Sequence, residues 1–165
     1  MRDLLRTKLP VALPVMLTIQ SFGTMCSFAA AVVAVRASTD LGVKATSIGI
    51  YMAVLYIVGM LVGLGAGSLL ARFGVIRTCQ VALLAAALGL VVTAAVPVWW
   101  VAVAGAALIG IGMGPLNPAG SRILARHSPA RWQPLVFSIK QTGVPVGALI
   151  GGLLIPALLG LGFYS

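Results

Sequence analysis

Gly67-Ser68-Leu69-Leu70-Ala71-Arg72-Phe73-Gly74-Val75-Ile76-Arg77 is a basic, glycine-bracketed turn with a long apolar run on either side of it. A connection this short forces the two runs to lie antiparallel. The composition fits that arrangement throughout: 61% of residues are hydrophobic, 8% are charged and the mean hydropathy is +1.13, against roughly 25% charged residues in soluble domains. Crossing a bilayer takes about 20 predominantly apolar residues, and five stretches qualify, approximately 10–35, 46–70, 78–97, 99–124 and 134–161. The predicted fold class is an all-α membrane protein, a single five-helix transmembrane bundle over residues 1–165, with almost nothing left for a soluble domain.

The amino-terminal Met1-Arg2-Asp3-Leu4-Leu5-Arg6-Thr7-Lys8 precedes an apolar stretch from Leu9 to Val35. That stretch is too long for a signal core of about 7–15 residues, so it reads as a retained helix. The formal net charge is +9, and its distribution argues against nucleic acid. With the amino terminus in the cytoplasm, Arg2, Arg6, Lys8, Arg72, Arg77, Arg122, Arg126 and Arg131 fall inside, whereas Arg36 and Lys44 fall outside. This follows the positive-inside rule and predicts a multi-pass protein of the inner (plasma) membrane whose cations meet anionic lipid. Trp99 and Trp100 at one interface and Trp132 at the other suit headgroup anchoring.

Glycines recur every four residues at Gly59, Gly63 and Gly67, at Gly110 and Gly114, and at Gly143, Gly147 and Gly151. In lipid such spacing lets helix backbones approach closely. Gly63, Gly65 and Gly67 do not form a nucleotide loop, because they lie within a span with no strand before them. Cys26 and Cys79 differ in expected depth by roughly 20 Å at 1.5 Å per residue, too far for a disulfide. They read as packing residues.

The basic turn Gly67–Arg77 resembles the loop signature of the major facilitator superfamily of secondary transporters, in which a glycine, an Asp-Arg pair and a second glycine precede basic residues. Gly67, Arg72, Gly74 and Arg77 match, and Ala71 stands in the aspartate's place. Two further elements resemble the family. Asn117-Pro118-Ala119-Gly120-Ser121-Arg122 is similar to its arginine-bearing fourth-helix motif, and Gly143, Pro145 and Gly147 resemble its fifth-helix proline-glycine element with altered spacing. A helix bent by proline and packed on a partner accounts for the latter equally well.

The resemblance implies two six-helix halves, each of two inverted three-helix repeats, with this chain supplying spans one to five of the first half. It further implies a missing carboxy-terminal half, or a partner bundle in its place, and a truncated amino-terminal fragment as the chain's status. Arg72 and Gly74 would shape an inner gate, and without an aspartate at Ala71 an inter-half charge contact that stabilises one access state would be lost. The first and fourth helices would line the central cavity.

Residues for enzyme chemistry are scarce. Asp3 and Asp40 are the acidic residues, glutamate is absent and His127 is the single histidine. Ser68 and Ser121 have no base at their depth to make an intramembrane nucleophile, and no metal-ligand spacing occurs. Neither an enzyme nor a metal or cofactor is expected. Polar groups within spans remain, because they are expensive unless they face a cavity or a partner. Gln20, Thr24 and Ser27 share a face of the first helix, and Asn117 and Ser121 share one in the fourth. Candidate solute contacts are Gln20, Thr24, Asn117, Gln141 and Lys140, with interhelical hydrogen bonding the alternative.

Lys140 lies about 9 Å into the fifth span. It attracts an anionic substrate or, as the more economical expectation, snorkels to the cytoplasmic headgroups. At about 100° per residue it points away from Gln141, Thr142 and Pro145. With no carboxylate in any span, a proton carrier is expected outside these five helices. The function expected is secondary transport of a small solute by alternating access; the alternative is a non-transporting membrane subunit or scaffold that packs on a partner through its glycine faces.

Overall fold

Five helices long and apolar enough to cross a membrane make up the computed structural model, at Leu9–Val32, Thr46–Leu64, Val75–Ala95, Trp99–His127 and Ala130–Leu154. The structure describes residues 9–40, 46–95 and 98–160, with side chains over 9–32, 46–95 and 98–154. Arg2, Asp3, Arg6, Lys8, Lys44 and Pro97, and the side chains of Arg36 and Asp40, lie outside the described residues. Among the described residues there is no strand, so the all-helical class holds.

Helix α1 (Leu9–Asp40) is continuous through Pro14. Helix α2 (Thr46–Leu64) ends at Gly65, and a short helix α3 (Ala66–Phe73) follows. Helix α4 (Val75–Ala95) begins after Gly74 alone. Gly74 has φ +80° and ψ 162° and is the one residue with positive φ among the described residues, a backbone state essentially confined to glycine that costs a side chain on the order of 1–3 kcal/mol. The basic turn is thus a single glycine between helices, narrower than the sequence suggests, because Val75 and Ile76 extend the third span's apolar run.

The fourth span divides into α5 (Trp99–Met113) and α6 (Leu116–His127) at Gly114-Pro115. Pro115 and Pro118 supply no backbone N–H, so the helical ladder loses donors here. The fifth span opens with a 3-10 turn at Ala130–Trp132 and continues as α7 (Gln133–Gln141) and α8 (Gly143–Gly160). Its joint is Thr142, whose Oγ1 donates to the Ile139 carbonyl at 2.6 Å. Pro145, lacking an N–H, leaves the Gln141 carbonyl without its helical donor.

Small residues set the packing. A Cβ on Gly59 or Gly63 would sit 3.4 and 3.3 Å from the carbonyl oxygens of Gly110 and Gly114, so α2 and α5 run parallel in close contact. Helices α4 and α5 are antiparallel, Gly89 against Gly105 and Ala82 and Ala86 against Gly112. The fifth span follows the first in parallel: Gly143 faces Leu17 and Gln20, Gly147 faces Ser21 and Thr24, and Gly151 faces Met25 and Phe28. Gly67, by contrast, has no neighbour within 4 Å of where a Cβ would be. Three apolar clusters fill the spaces between, around Tyr51 and Ile109, around Cys79 and Leu116, and around Met16, Leu124 and Val136.

Candidate functional site

Lys140 is 1% exposed. The expectation that it snorkels to the headgroups is therefore corrected. On the fifth span Val136, Lys140, Gly143, Gly147 and Gly151 are the buried positions, a stripe at spacings of three and four that faces the bundle. Gln141, Thr142 and Pro145 are exposed on the other side, as the angular argument requires. Relative angles on a helix do not reveal which side faces inward, and Lys140 took the inner one.

The ammonium of Lys140 crosses to the fourth span. Nζ donates to the Asn117 side-chain oxygen Oδ1, to the Asn117 carbonyl oxygen at 3.2 Å and to Ser121 Oγ at 3.4 Å. Asn117, Gly120 and Ser121 stand at i, i+3 and i+4 of α6 and so share one face. Gly120 makes the room, because a Cβ there would lie 2.9 Å from Lys140 Cε and 3.4 Å from Nζ. This glycine was not singled out in the sequence; its signal was its place between two polar residues of one helical face. The acceptors are all uncharged. Since a charge near the centre of a bilayer costs roughly 2.5–3.5 kcal/mol or more, these three bonds hold the cation without neutralising it.

Gln20 and Thr24 are buried, but elsewhere. Thr24 Oγ1 donates to the Gln20 carbonyl oxygen at 3.0 Å, and both side chains lie against Gly143 and Gly147 of the fifth span. Ser27 Oγ is buried without a hydrogen-bond partner. The five candidate contacts thus fall into a joined pair, Asn117 with Lys140, an exposed neighbour, Gln141, and a packed pair, Gln20 and Thr24.

The residues of the basic turn lie beside Arg122 of the fourth span. Arg72, Arg77 and Arg122 are exposed; Arg72 lies over the Phe73 ring at 5.5 Å, and Arg122 Nη1 donates to the Gly67 carbonyl oxygen at 3.4 Å. Thr78 Oγ1 donates to the Gly74 carbonyl oxygen at 2.7 Å, tying the single-residue turn to the helix that follows it. Gly143 and Gly147 contact the first span, while Pro145 faces outward. Among the described residues no three His, Cys, Asp or Glu side chains come together as a metal site.

Comparison with known proteins bears on this arrangement of spans and loops. Neither the curated proteins nor the solved structures searched contain a match. The family profile described as Major Facilitator Superfamily matches residues 16–165. With that match covering most of its length, the chain belongs to the Major Facilitator Superfamily, a family of membrane transporters.

Proposed function

We propose that the chain is one bundle of a secondary active transporter that moves a small solute by alternating access, working against a second bundle in the plasma membrane with its amino terminus in the cytoplasm. Alternating access requires two bodies that rock about a site near the midplane, so the second bundle is either a further part of the same protein or a separate partner. The observation that carries this reading is the charged side chain of Lys140 held inside the spans by Asn117. An intramembrane charge marks a solute or ion pathway more often than a packing contact.

Asn117 and Lys140 make the primary solute contact, and exposed Gln141 extends it toward the second bundle. Gln20 and Thr24, at the glycine-lined joint with the fifth span, transmit movement between the first and fifth helices and border the solute in one access state. Arg72, Gly74 and Arg77 shape the inner gate, with Gly67 and Arg122 bracing it.

Chain-dependent uptake of labelled small metabolites into membrane vesicles tests the proposal. Flux that falls at least about tenfold in Asn117→Ala, with insertion unchanged, is the expected result; tenfold corresponds to about 1.4 kcal/mol. Absence of flux together with stoichiometric co-purification of another membrane subunit would establish the scaffold role instead.

A further inference from the structure

The sequence holds two acidic residues, Asp3 and Asp40, and neither falls within the five membrane-length stretches. Lys140 is the charged residue that these stretches bury, and the partners of its ammonium are an amide, a backbone carbonyl and a hydroxyl. A strut between two helices needs only hydrogen bonds, which a neutral side chain supplies without bringing a charge into hydrocarbon. The charge itself therefore calls for a counter-charge.

Two of the three partners are chemically reversible. An asparagine amide carries an acceptor oxygen and two N–H donors, and a serine hydroxyl both donates and accepts. In the structure Asn117 Oδ1 and Ser121 Oγ accept from the ammonium. With an anion beside Nζ, the same amide turned about its terminal bond and the same hydroxyl rotated become donors to that anion. Asn117 is also the exposed member of the group, so a residue that holds the ammonium reaches the surface. Among the described residues no other cation shares the cradle: Arg122, Arg126 and Arg131 are exposed, and Arg122 turns to Gly67. Gly120, whose missing Cβ leaves space for the lysine stem, sets the ammonium at that face.

We propose that Lys140, Asn117 and Ser121 form the binding site for a solute bearing a single carboxylate, which pairs with the Lys140 ammonium and accepts hydrogen bonds from the Asn117 amide and the Ser121 hydroxyl. One cation matches one negative charge, and a carboxylate offers acceptor positions enough for all three donors. This inference rests on the transporter reading above and names its substrate class.

The test uses the full chain in phosphatidylcholine nanodiscs at constant ionic strength, titrated with sodium acetate and sodium benzoate and, as uncharged counterparts, acetamide and benzamide. Thermal unfolding provides the readout, since a ligand that binds the folded state alone raises it. Saturable stabilisation by the carboxylates and none by the amides is the expected result. Lys140→Gln removes the cation, and Asn117→Asp supplies an internal counter-charge that fills the site; each is expected to weaken the carboxylate response at least about thirtyfold. Ser138→Ala and Arg126→Gln leave it unchanged, the latter separating the site from the surface arginines.

Because Asn117→Asp gives Lys140 a partner, it keeps the test decisive even if Lys140→Gln fails to fold. Equal responses to acid and amide, or an undiminished carboxylate response in Asn117→Asp, overturn the proposal. So does the absence of any carboxylate response, which would leave the counter-charge to an acidic side chain of the second bundle. Chain-dependent flux of an uncharged solute without carboxylate binding removes this inference and spares the transport reading. Lys140-dependent carboxylate binding without flux of any solute upholds the site and removes transport.

Discussion

Arg122 of the fourth span donates to the carbonyl oxygen of Gly67 in the short helix after the second, at 3.4 Å. Two residues 55 positions apart, both singled out by their motifs, are thereby joined by a side-chain-to-backbone bond. Their exposure limits its energetic weight. Arg122→Gln is expected to lower stability by about 0.5–1 kcal/mol, measured as the shift in thermal unfolding of the purified protein.

Gly74 and Gly67 separate two reasons for a glycine. At Gly74 the positive φ with extended ψ makes Gly74→Ala cost on the order of 1–3 kcal/mol. At Gly67 nothing lies within 4 Å of the new methyl group, so Gly67→Ala is expected to be neutral in unfolding or slightly stabilising. If Gly67→Ala nevertheless impairs transport, the contact it disturbs belongs to another body.

Along the fifth span the same logic gives a graded series. A methyl group on Gly147 meets the Ser21 carbonyl oxygen and Thr24 Cβ, whereas one on Gly152 meets nothing within 4 Å. Gly147→Ala is expected to destabilise by about 1–3 kcal/mol, as overpacking does, and Gly152→Ala to stay within about 0.5 kcal/mol of the parent. Equal unfolding temperatures for the two variants would contradict the packing of α8 on α1.

Gly120→Ala meets a softer neighbour, the end of the Lys140 stem. The lysine is able to give way, so the expected loss is about 1 kcal/mol or less. Gly120→Leu fills the space that the ammonium occupies and is expected to fall in the range of about 1–3 kcal/mol found for overpacked sites. Both variants are read by thermal unfolding alongside Gly147→Ala.

Cys26 and Cys79 are free and buried, and they furnish the readout for these comparisons. A thiol-reactive fluorogenic dye is expected to react slowly with the folded protein and in step with unfolding on heating. Fast reaction at room temperature would show that one of these helix faces is open. Neither thiol is expected to form a disulfide with the other, as the unchanged mobility of oxidised and reduced samples would report.

How much of this was legible in the sequence differs by level. The bundle was, because hydropathy over about 20 residues reports directly on whether a stretch can cross hydrocarbon. The glycine spacing announced close contacts, yet it did not identify partners: Gly59 and Gly63 met Gly110 and Gly114, Gly143 and Gly147 met polar residues of the first span, and Gly67 met nothing. The breaks at Gly65, Gly114-Pro115 and Thr142 were passed over because a window of about 20 residues averages the polar stretch beside each break with the apolar run it adjoins. Lys140 was misjudged for a physical reason. An isolated helix in lipid gains by snorkelling, whereas Asn117, Ser121 and the gap at Gly120 become available only after α6 and α7 pack together.

The contact of α8 with α1 carries a consequence of a different kind. Gly143, Gly147 and Gly151 repeat every four residues, about 6 Å along the axis, but each meets a different group of the first helix: the Leu17 carbonyl oxygen, the Ser21 carbonyl oxygen and Phe28 Cβ. A slip of one step toward the far end would carry Ile139 into the place of Gly143 and draw Lys140 away from Asn117. The close packing that fixes the fifth span sideways thus also sets its height in the bundle.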